Sequence, residues 1–207
     1  MNYIGIDIGS TCAKTVVLNE KKELILEFVQ PTGWSSVDTA EEIRQKLEFA
    51  GINLSNESSH CVATGYGRIS VPYADKTVTE ITCHALGAVH LFQHPDLTVI
   101  DIGGQDTKII QIEQGFVKDF IMNDKCAAGT GRFLEVMANT LSLRPNEMFD
   151  LARLGSDTTI SSMCTVFAES EVIGLIGKGE PKENIAYAVV NSTIRKVAAQ
   201  VSRMNGE

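Results

Sequence analysis

The segment YIGIDIGSTCAK (Tyr3–Lys14) runs from an apolar strand into an aspartate, a glycine-containing turn and a second strand. The segment TVIDIGGQDTK (Thr98–Lys108) repeats this order, and its Asp-Ile-Gly and its lysine stand at the same spacing as in the first copy. Matched aspartates, glycines and lysines in matched strand contexts indicate an internal duplication. Two facing strand–turn–strand units would offer two backbone loops able to grip one ligand from opposite sides.

The residue types in these turns fit a phosphate. Glycine lets the backbone approach an anion closely, and successive amides form an anion-binding nest. Ser10 and Thr11 add hydroxyl donors and Lys14 adds a positive charge. Asp7 and Asp101 end their strands at the point where a hydrated Mg²⁺ beside phosphates needs carboxylates. The structural alternative is that the glycines only form hairpin turns, each capped by its own aspartate.

The sequence therefore predicts a nucleotide site made of both turns. The predicted phosphate contacts are Gly9, Ser10, Thr11, Cys12, Ala13 and Lys14 in the first copy and Gly103, Gly104 and Gln105 in the second. Glu80 is a candidate to orient an attacking water, as an acidic residue does in related ATPases. Gln105 is a comparable candidate, since a glutamine can position such a water.

The two copies resemble the phosphate hairpins of the actin/hsp70/sugar-kinase superfamily of ATPases. The resemblance implies an α/β fold with two ribonuclease-H-like lobes that close on ATP or ADP with Mg²⁺. Residues 1–95 would form lobe I with the first hairpin, and residues 96–207 lobe II with the second. Superfamily members carry a further, adenosine-contacting glycine motif beyond the point where this chain ends at Glu207. The resemblance therefore implies a truncated C-terminal part.

Hydrophobic periodicity predicts alternating strands and helices. The predicted strands are a hairpin within Asn2–Asn19, then Glu23–Gln30, Val62–Thr64, Leu97–Ile102, Thr107–Ile112 and Phe116–Met122. The predicted helices are Val37–Ala50, Glu80–Phe92, Gly129–Leu143, Asn146–Leu154, Ala168–Ile176 and Pro181–Met204.

Composition excludes several classes of function. A net charge of −8 argues against broad nucleic-acid binding, which needs a cationic surface. No stretch approaches the roughly 20 apolar residues of a membrane span. The first residues enter a strand directly, with no basic leader or apolar signal core. We therefore expect a cytoplasmic protein.

Two of the five cysteines stand out. Cys126, in KCAAGTGRF (Lys125–Phe133), and Cys164, in CTVFAESEV (Cys164–Val172), each lie at the predicted entrance to a helix. Helix N-termini lower the pKa of thiols in general and stabilise anionic ligands. A [4Fe–4S] cluster takes four thiolates, so a homodimer that supplies two from each chain would complete one. Burial of both cysteines as packing residues, or zinc shared across a dimer, remains open on spacing alone.

These two cysteine segments resemble the signature segments of the 2-hydroxyacyl-CoA dehydratase activators, a family that includes the ATPase subunits of benzoyl-CoA reductase. The segments TGYGR (Thr64–Arg68) and EITCHA (Glu80–Ala85) also resemble its pattern, so the match covers nearly the whole chain. The resemblance implies that Cys126 and Cys164 ligate a [4Fe–4S] cluster shared across a homodimer. It also implies ATP-dependent one-electron transfer from a ferredoxin or flavodoxin to a dehydratase-type partner enzyme.

The other three cysteines match no cluster position. Cys61 and Cys83 are predicted to pack in a buried strand and on a helix, and Cys12 to be incidental to its turn. Two other functions are compatible with the phosphate hairpins. One is a small-molecule kinase and the other a non-redox nucleotide switch, whose cysteines bind zinc or nothing.

Overall fold

A computed structural model of the chain describes residues 1–54, 58–161 and 164–204. The chain divides into two compact units, Met1–His94 and Pro95–Glu207. No helix in these described ranges is long and apolar enough to cross a membrane.

The first unit is a mixed sheet with two helices. Its elements are β1 (Asn2–Ile8), β2 (Cys12–Leu18), β3 (Leu24–Pro31), α1 (Ser36–Phe49), β4 (Ser59–Thr64), β5 (Lys76–Thr77) and α2 (Glu80–Phe92), with a short 3₁₀ turn at Arg68–Ser70. The strand order is β3-β2-β1-β4-β5. The first three strands form an antiparallel meander, whereas β4 runs parallel to β1 and β5 parallel to β4.

Alternation along β1 builds the core of this unit. Successive side chains of a strand point to opposite faces, so Ile4, Ile6 and Ile8 share one face and all three are buried. They pack with Ile43 and Leu47 of α1, which are fully buried. This packing fixes the carboxyl end of β1, and with it Asp7 and the turn that follows.

The described part of the second unit combines an antiparallel three-stranded sheet with four helices. Its elements are β6 (Leu97–Ile102), β7 (Thr107–Glu113), β8 (Phe116–Asn123), α3 (Gly131–Thr140), α4 (Pro145–Ala152), α5 (Thr165–Gly177) and α6 (Lys182–Met204). The strand order is β6-β7-β8, and α6 contacts β7 and β8. Buried residues of all four helices, among them Met137, Met148, Val172 and Val189, form one core.

The predicted α/β class is confirmed, and three local differences have physical reasons. Helix α3 begins at Gly131 rather than Gly129, because Gly129 has a φ of +84°, outside the helical region. Helix α5 begins at Thr165 rather than Ala168, because Cys164 is its N-cap. The two-residue strand β5 was missed, since both its residues are exposed and show no alternation.

Two ribonuclease-H-like lobes were predicted, with a truncated C-terminal part, and the structure bears this out in part. The first unit has a five-stranded sheet, whereas the sheet in the described part of the second unit has three strands. A complete second lobe of this type is therefore not seen within residues 95–161 and 164–204.

Candidate functional site

The first glycine turn joins β1 to β2 and is flanked by a lysine–aspartate pair. Asp7 and Lys14 are cross-strand partners, and Lys14 Nζ lies 3.0 Å from Asp7 Oδ2. Partial burial acts to lower the pKa of Lys14, but its hydrogen bond with Asp7 and the charge of that carboxylate outweigh it, so the pKa is raised overall. Lys14 therefore remains a cation at physiological pH, beside the turn.

Thr32, directly after β3, anchors this turn by donating hydrogen bonds to two of the turn's main-chain carbonyl groups. The Thr32 hydroxyl donates to Gly9 O at 2.7 Å, and Thr32 N donates to Thr11 O at 3.0 Å. Ser10 and Thr11 are exposed at the tip. These hydrogen bonds to the turn's carbonyl groups fix its tip, where Ser10 and Thr11 are accessible to solvent.

Two other predicted contacts of this turn are less accessible. The Ala13 side chain is fully buried, so that residue offers a ligand only its main chain. Cys12 is half-buried and its carbonyl accepts from Gly9 N at 3.1 Å.

A glycine after β4 packs against the end of β1 at the first turn. Gly65 has a φ of +82°, and a Cβ there would lie 2.3 Å from Asp7 Oδ1 and 2.5 Å from Ile8 O. Gly67 N donates to Ile8 O at 2.9 Å, which ties the segment to the end of β1. The TGYGR segment thus packs directly against the Asp7 carboxylate.

Replacing Gly65 by alanine is expected to lower the free energy of unfolding by about 2–5 kcal/mol, because the cost of a left-handed backbone adds to that of an overpacked contact. It should also weaken nucleotide binding, since Asp7 must shift. Gly51→Ala is the matched control: Gly51 has a φ of +80° with nothing within 4 Å of the added Cβ, so only the backbone cost of about 1–2 kcal/mol is expected. Urea denaturation of both variants measures the difference, and equal losses would contradict the contact argument.

The second glycine turn joins β6 to β7 and holds a buried ion cluster. Asp101 and Lys108 are cross-strand partners, as Asp7 and Lys14 are in the first hairpin. Lys108 Nζ lies 3.2 Å from Asp101 Oδ2 and 2.7 Å from Asp106 Oδ2. The side chains of Lys108 and Asp106 are 3% and 7% exposed, and that of Asp101 is 28% exposed. Asp101 is thus the carboxylate of this cluster that remains accessible.

Main-chain hydrogen bonds join the second turn to the start of α3. Gly131 N donates to Gly103 O, and Arg132 N donates to Gly104 O, both at 2.9 Å. The buried Thr107 hydroxyl also donates to Gly129 O at 2.8 Å. The first amides of a helix lack partners within the helix, and here two of them bind the turn. The loop that carries Cys126 is consequently fixed to the predicted phosphate turn.

The two candidates for orienting water lie in different units. Glu80 is the first residue of α2 and is half-buried, whereas Gln105 is exposed in the second turn. A role in hydrolysis stays a prediction for both.

The two cysteines predicted as cluster ligands are accessible to different degrees. Cys164 is exposed and is the N-cap of α5. Cys126 is half-buried and lies five residues before α3, whose N-cap is Thr130. The expected position at a helix entrance is therefore correct for Cys164, whereas Cys126 lies in the loop before its helix.

The helices that follow the two cysteines pack against each other. Phe133 and Met137 of α3 share a core with Ala168 and Val172 of α5. The described residues contain no group of three or more His, Cys, Asp or Glu side chains placed to hold a metal ion. Within those residues, a single chain thus does not contain a full metal-ligand set.

Comparison with known proteins places this chain in a family. The model of the BadF/BadG/BcrA/BcrD ATPase family matches residues 4–207. The chain belongs to this ATPase family. It is 44% identical to the (R)-2-hydroxyglutaryl-CoA dehydratase activating ATPase of Acidaminococcus fermentans, over 97% of this chain and 77% of that protein. It is also 44% identical to the activator of lactoyl-CoA dehydratase of Anaerotignum propionicum, over 91% of this chain and 73% of that protein.

A solved structure gives the same relationship. The activator of the 2-hydroxyisocaproyl-CoA dehydratase from Clostridium difficile, with bound ADPNP, superimposes with a TM-score of 0.88 at 36% identity. The match covers 99% of this chain and 76% of that one. The family resemblance drawn from the cysteine segments is thereby confirmed, and this member of the ATPase family spans about three quarters of the length of these relatives.

Sequence reasoning missed one acidic residue of this ATPase. Asp106 stands in the second hairpin where Cys12 stands in the first, so the two hairpins are not equivalent. A Cβ on Gly103 would lie 2.2 Å from Asp106 Oδ1, and Gly103 N donates to Asp106 O at 2.9 Å. Alignment of the two repeats could have revealed it. Asp106 then stands opposite the neutral Cys12, two residues before the matched lysines.

Of the remaining thiols, Cys61 behaves as a packing residue, as predicted. It is 3% exposed in β4, and burial, followed by the charge of Asp75, raises the pKa of its thiol to about 12. Such a thiol is inert at neutral pH. Cys83 is half-buried on α2.

Proposed function

We propose that this chain is an ATP-hydrolysing activator of a 2-hydroxyacyl-CoA dehydratase-type enzyme, acting in the cytoplasm as a homodimer that shares a [4Fe–4S] cluster. The relatives named as dehydratase activators support the partner class, and the relative with bound ADPNP supports nucleotide binding. The observation that carries the proposal is the main-chain link between the second glycine turn and the start of α3, the helix that follows the Cys126 loop.

The residues of both hairpins fit ATP with Mg²⁺. Each turn has at least one glycine, a carboxylate near the end of the preceding strand and a lysine that contacts that carboxylate. Carboxylate oxygens are ligands that Mg²⁺ accepts, usually through water, and the lysine positions each carboxylate. Asp7 and Asp101 would hold the hydrated metal, while Ser10, Thr11 and Lys14 bind phosphate. Glu80 or Gln105 would orient the attacking water.

The cysteines fit the cluster by chemistry and by number. Both thiols lie outside the core, and a cation stands beside one of them, with Lys196 Nζ 3.5 Å from Cys126 Sγ. Two thiols from each of two chains give the four thiolates that such a cluster takes. A cluster bound there would supply storage of one electron, received from a ferredoxin or flavodoxin donor and passed to the dehydratase. Cys126 and Cys164 would be its ligands.

The protein's own contribution is to couple the nucleotide to the cysteines. A phosphate bound to the second turn would contact Gly103 and Gly104. The carbonyl groups of these two residues accept hydrogen bonds from the first amides of α3. A change in the turn is therefore transmitted to the first residues of α3 and to the preceding loop. Packing of α3 on α5 carries the same change toward Cys164. Nucleotide state would in this way alter the surroundings of both sulfur atoms.

Metal and sulfide analysis of anaerobically purified protein, with its mass in solution, tests the proposal. We expect about four irons and four acid-labile sulfides per dimer. Zinc, or a metal-free monomer prepared in the same way, would contradict it and favour a non-redox nucleotide switch. If the chain contains neither iron nor zinc and phosphorylates a small molecule with ATP and Mg²⁺, it is a kinase instead.

A further inference from the structure

A lysine of the last helix lies against the sulfur of Cys126. Lys196 belongs to α6, is half-buried, and its Nζ is 3.5 Å from Cys126 Sγ. An ammonium has only donors, so it acts as a donor to the sulfur. The contact joins residues that are far apart in the chain, and the sequence around Cys126 does not predict it.

The backbone around Cys126 is shaped to receive this lysine. Gly129 is buried with a φ of +84°, and a Cβ there would lie 3.2 Å from Lys196 Cδ. The aliphatic part of Lys196 therefore packs on the bare backbone of Gly129. Asn123 Nδ2 donates to Cys126 O at 3.0 Å, so Cys126 is held through its carbonyl as well as its sulfur.

The position of Lys196 on α6 is also fixed. Its neighbour Val197 is 8% exposed, and Thr193, one turn earlier, is 5% exposed. On its other side Lys196 borders a cavity of about 710 Å³ between β8 and α6, which Arg195 and Arg203 also line. Lys196 thus contacts the Cys126 sulfur and also lines this cavity.

We propose that Lys196 positions Cys126 and compensates negative charge at its sulfur, raising the reduction potential of the iron–sulfur group that Cys126 binds. The inference rests on the proposed function. Hydrogen bonds to sulfur, nearby charge and solvent exposure set the potential of such clusters. A cation within contact distance favours the reduced form, which carries one more negative charge.

The test compares Lys196→Gln and Lys196→Arg with wild type in anaerobic redox titrations followed by electron paramagnetic resonance. We expect Lys196→Gln to bind iron but to lower the ratio of reduced to oxidised cluster about tenfold at a fixed potential. That ratio corresponds to a shift of about 59 mV for a one-electron couple. Lys196→Arg keeps the charge and should stay near wild type.

Lys178→Gln provides the matched control for loss of one positive charge. Lys178 caps the far end of α5, roughly 20 Å along the helix from Cys164, so its loss should leave the potential unchanged. An unshifted potential in cluster-containing Lys196→Gln overturns the inference, and so does an equal shift in Lys178→Gln.

Two further outcomes separate this inference from the proposed function. Iron lost from folded Lys196→Gln but retained in Lys196→Arg supports the positioning role, with circular dichroism establishing the folding of both. Absence of a cluster from wild type contradicts the proposed function itself, and iron analysis shows this before any titration.

Discussion

Replacing Cys126 by serine is expected to reduce the iron content of anaerobically purified protein from about four atoms per dimer to fewer than about one. The substitution removes one thiolate from each chain, so a shared cluster loses half of its four ligands at once. A serine hydroxyl is a much poorer ligand for this iron than a thiolate. Cys164→Ser should have the same effect, because it removes the other pair.

Cys83→Ser is the control for this experiment. Cys83 is half-buried like Cys126, but it lies on α2 of the first unit and matches no cluster position. It should retain full iron and sulfide. The apo forms of all variants should melt together, since neither Cys126 nor Cys164 is part of a core. Four irons retained by Cys126→Ser would remove this residue from the proposed ligand set.

Replacing Lys108 by methionine is expected to lower the free energy of unfolding by about 3–5 kcal/mol, because it leaves a buried carboxylate without its cation. The Asp106 side chain is 7% exposed, and its Oδ2 lies 2.7 Å from Lys108 Nζ. Methionine fills a similar volume, so the loss reports charge rather than a cavity. Urea denaturation followed by circular dichroism of the helices measures it.

The same substitution on the neighbouring strand gives the control. Lys118 on β8 pairs with Glu113, and both side chains are about half exposed, at 50% and 52%. Lys118→Met should therefore cost less than about 1 kcal/mol. The double variant Lys108→Met with Asp106→Leu should recover part of the loss, because it removes the stranded charge as well. Equal effects of Lys108→Met and Lys118→Met would contradict the buried-pair argument.

The strands and hairpins were predictable because the relevant signals are local. Alternation of apolar residues fixed β1 and β6, and the equal spacing of Asp7–Lys14 and Asp101–Lys108 implied matching hairpins. The structure adds that each such pair is a cross-strand ion pair. Antiparallel pairing around a short turn brings these residues together, so sequence spacing sufficed.

The residues that surround the site were not predictable in this way. Lys196 meets Cys126 only through the packing of α6 on the sheet, and a helical lysine has no distinctive pattern. Gly65 belonged to a segment that matched the family, but the reason for a glycine emerged only from its closeness to Asp7. Such contacts depend on tertiary structure, which hydrophobic periodicity does not encode.

The bonds from Gly131 N and Arg132 N to the second glycine turn have an evolutionary consequence. Both donors and both acceptors are main-chain atoms, so the connection itself requires no particular side chain. Gly103 and Gly131 nevertheless have little room for one, because a Cβ would lie 2.2 Å from Asp106 Oδ1 and 3.1 Å from Gly103 O, respectively. Selection on the connection would therefore act on these two glycines and on the length of the chain between the bonded segments. An insertion at the exposed tip of β7–β8, around Gln114 and Gly115, would leave both bonds intact, whereas one between Asp124 and Thr130 would shift α3 out of register. The number of residues in this stretch thus sets the register of α3 against the second turn.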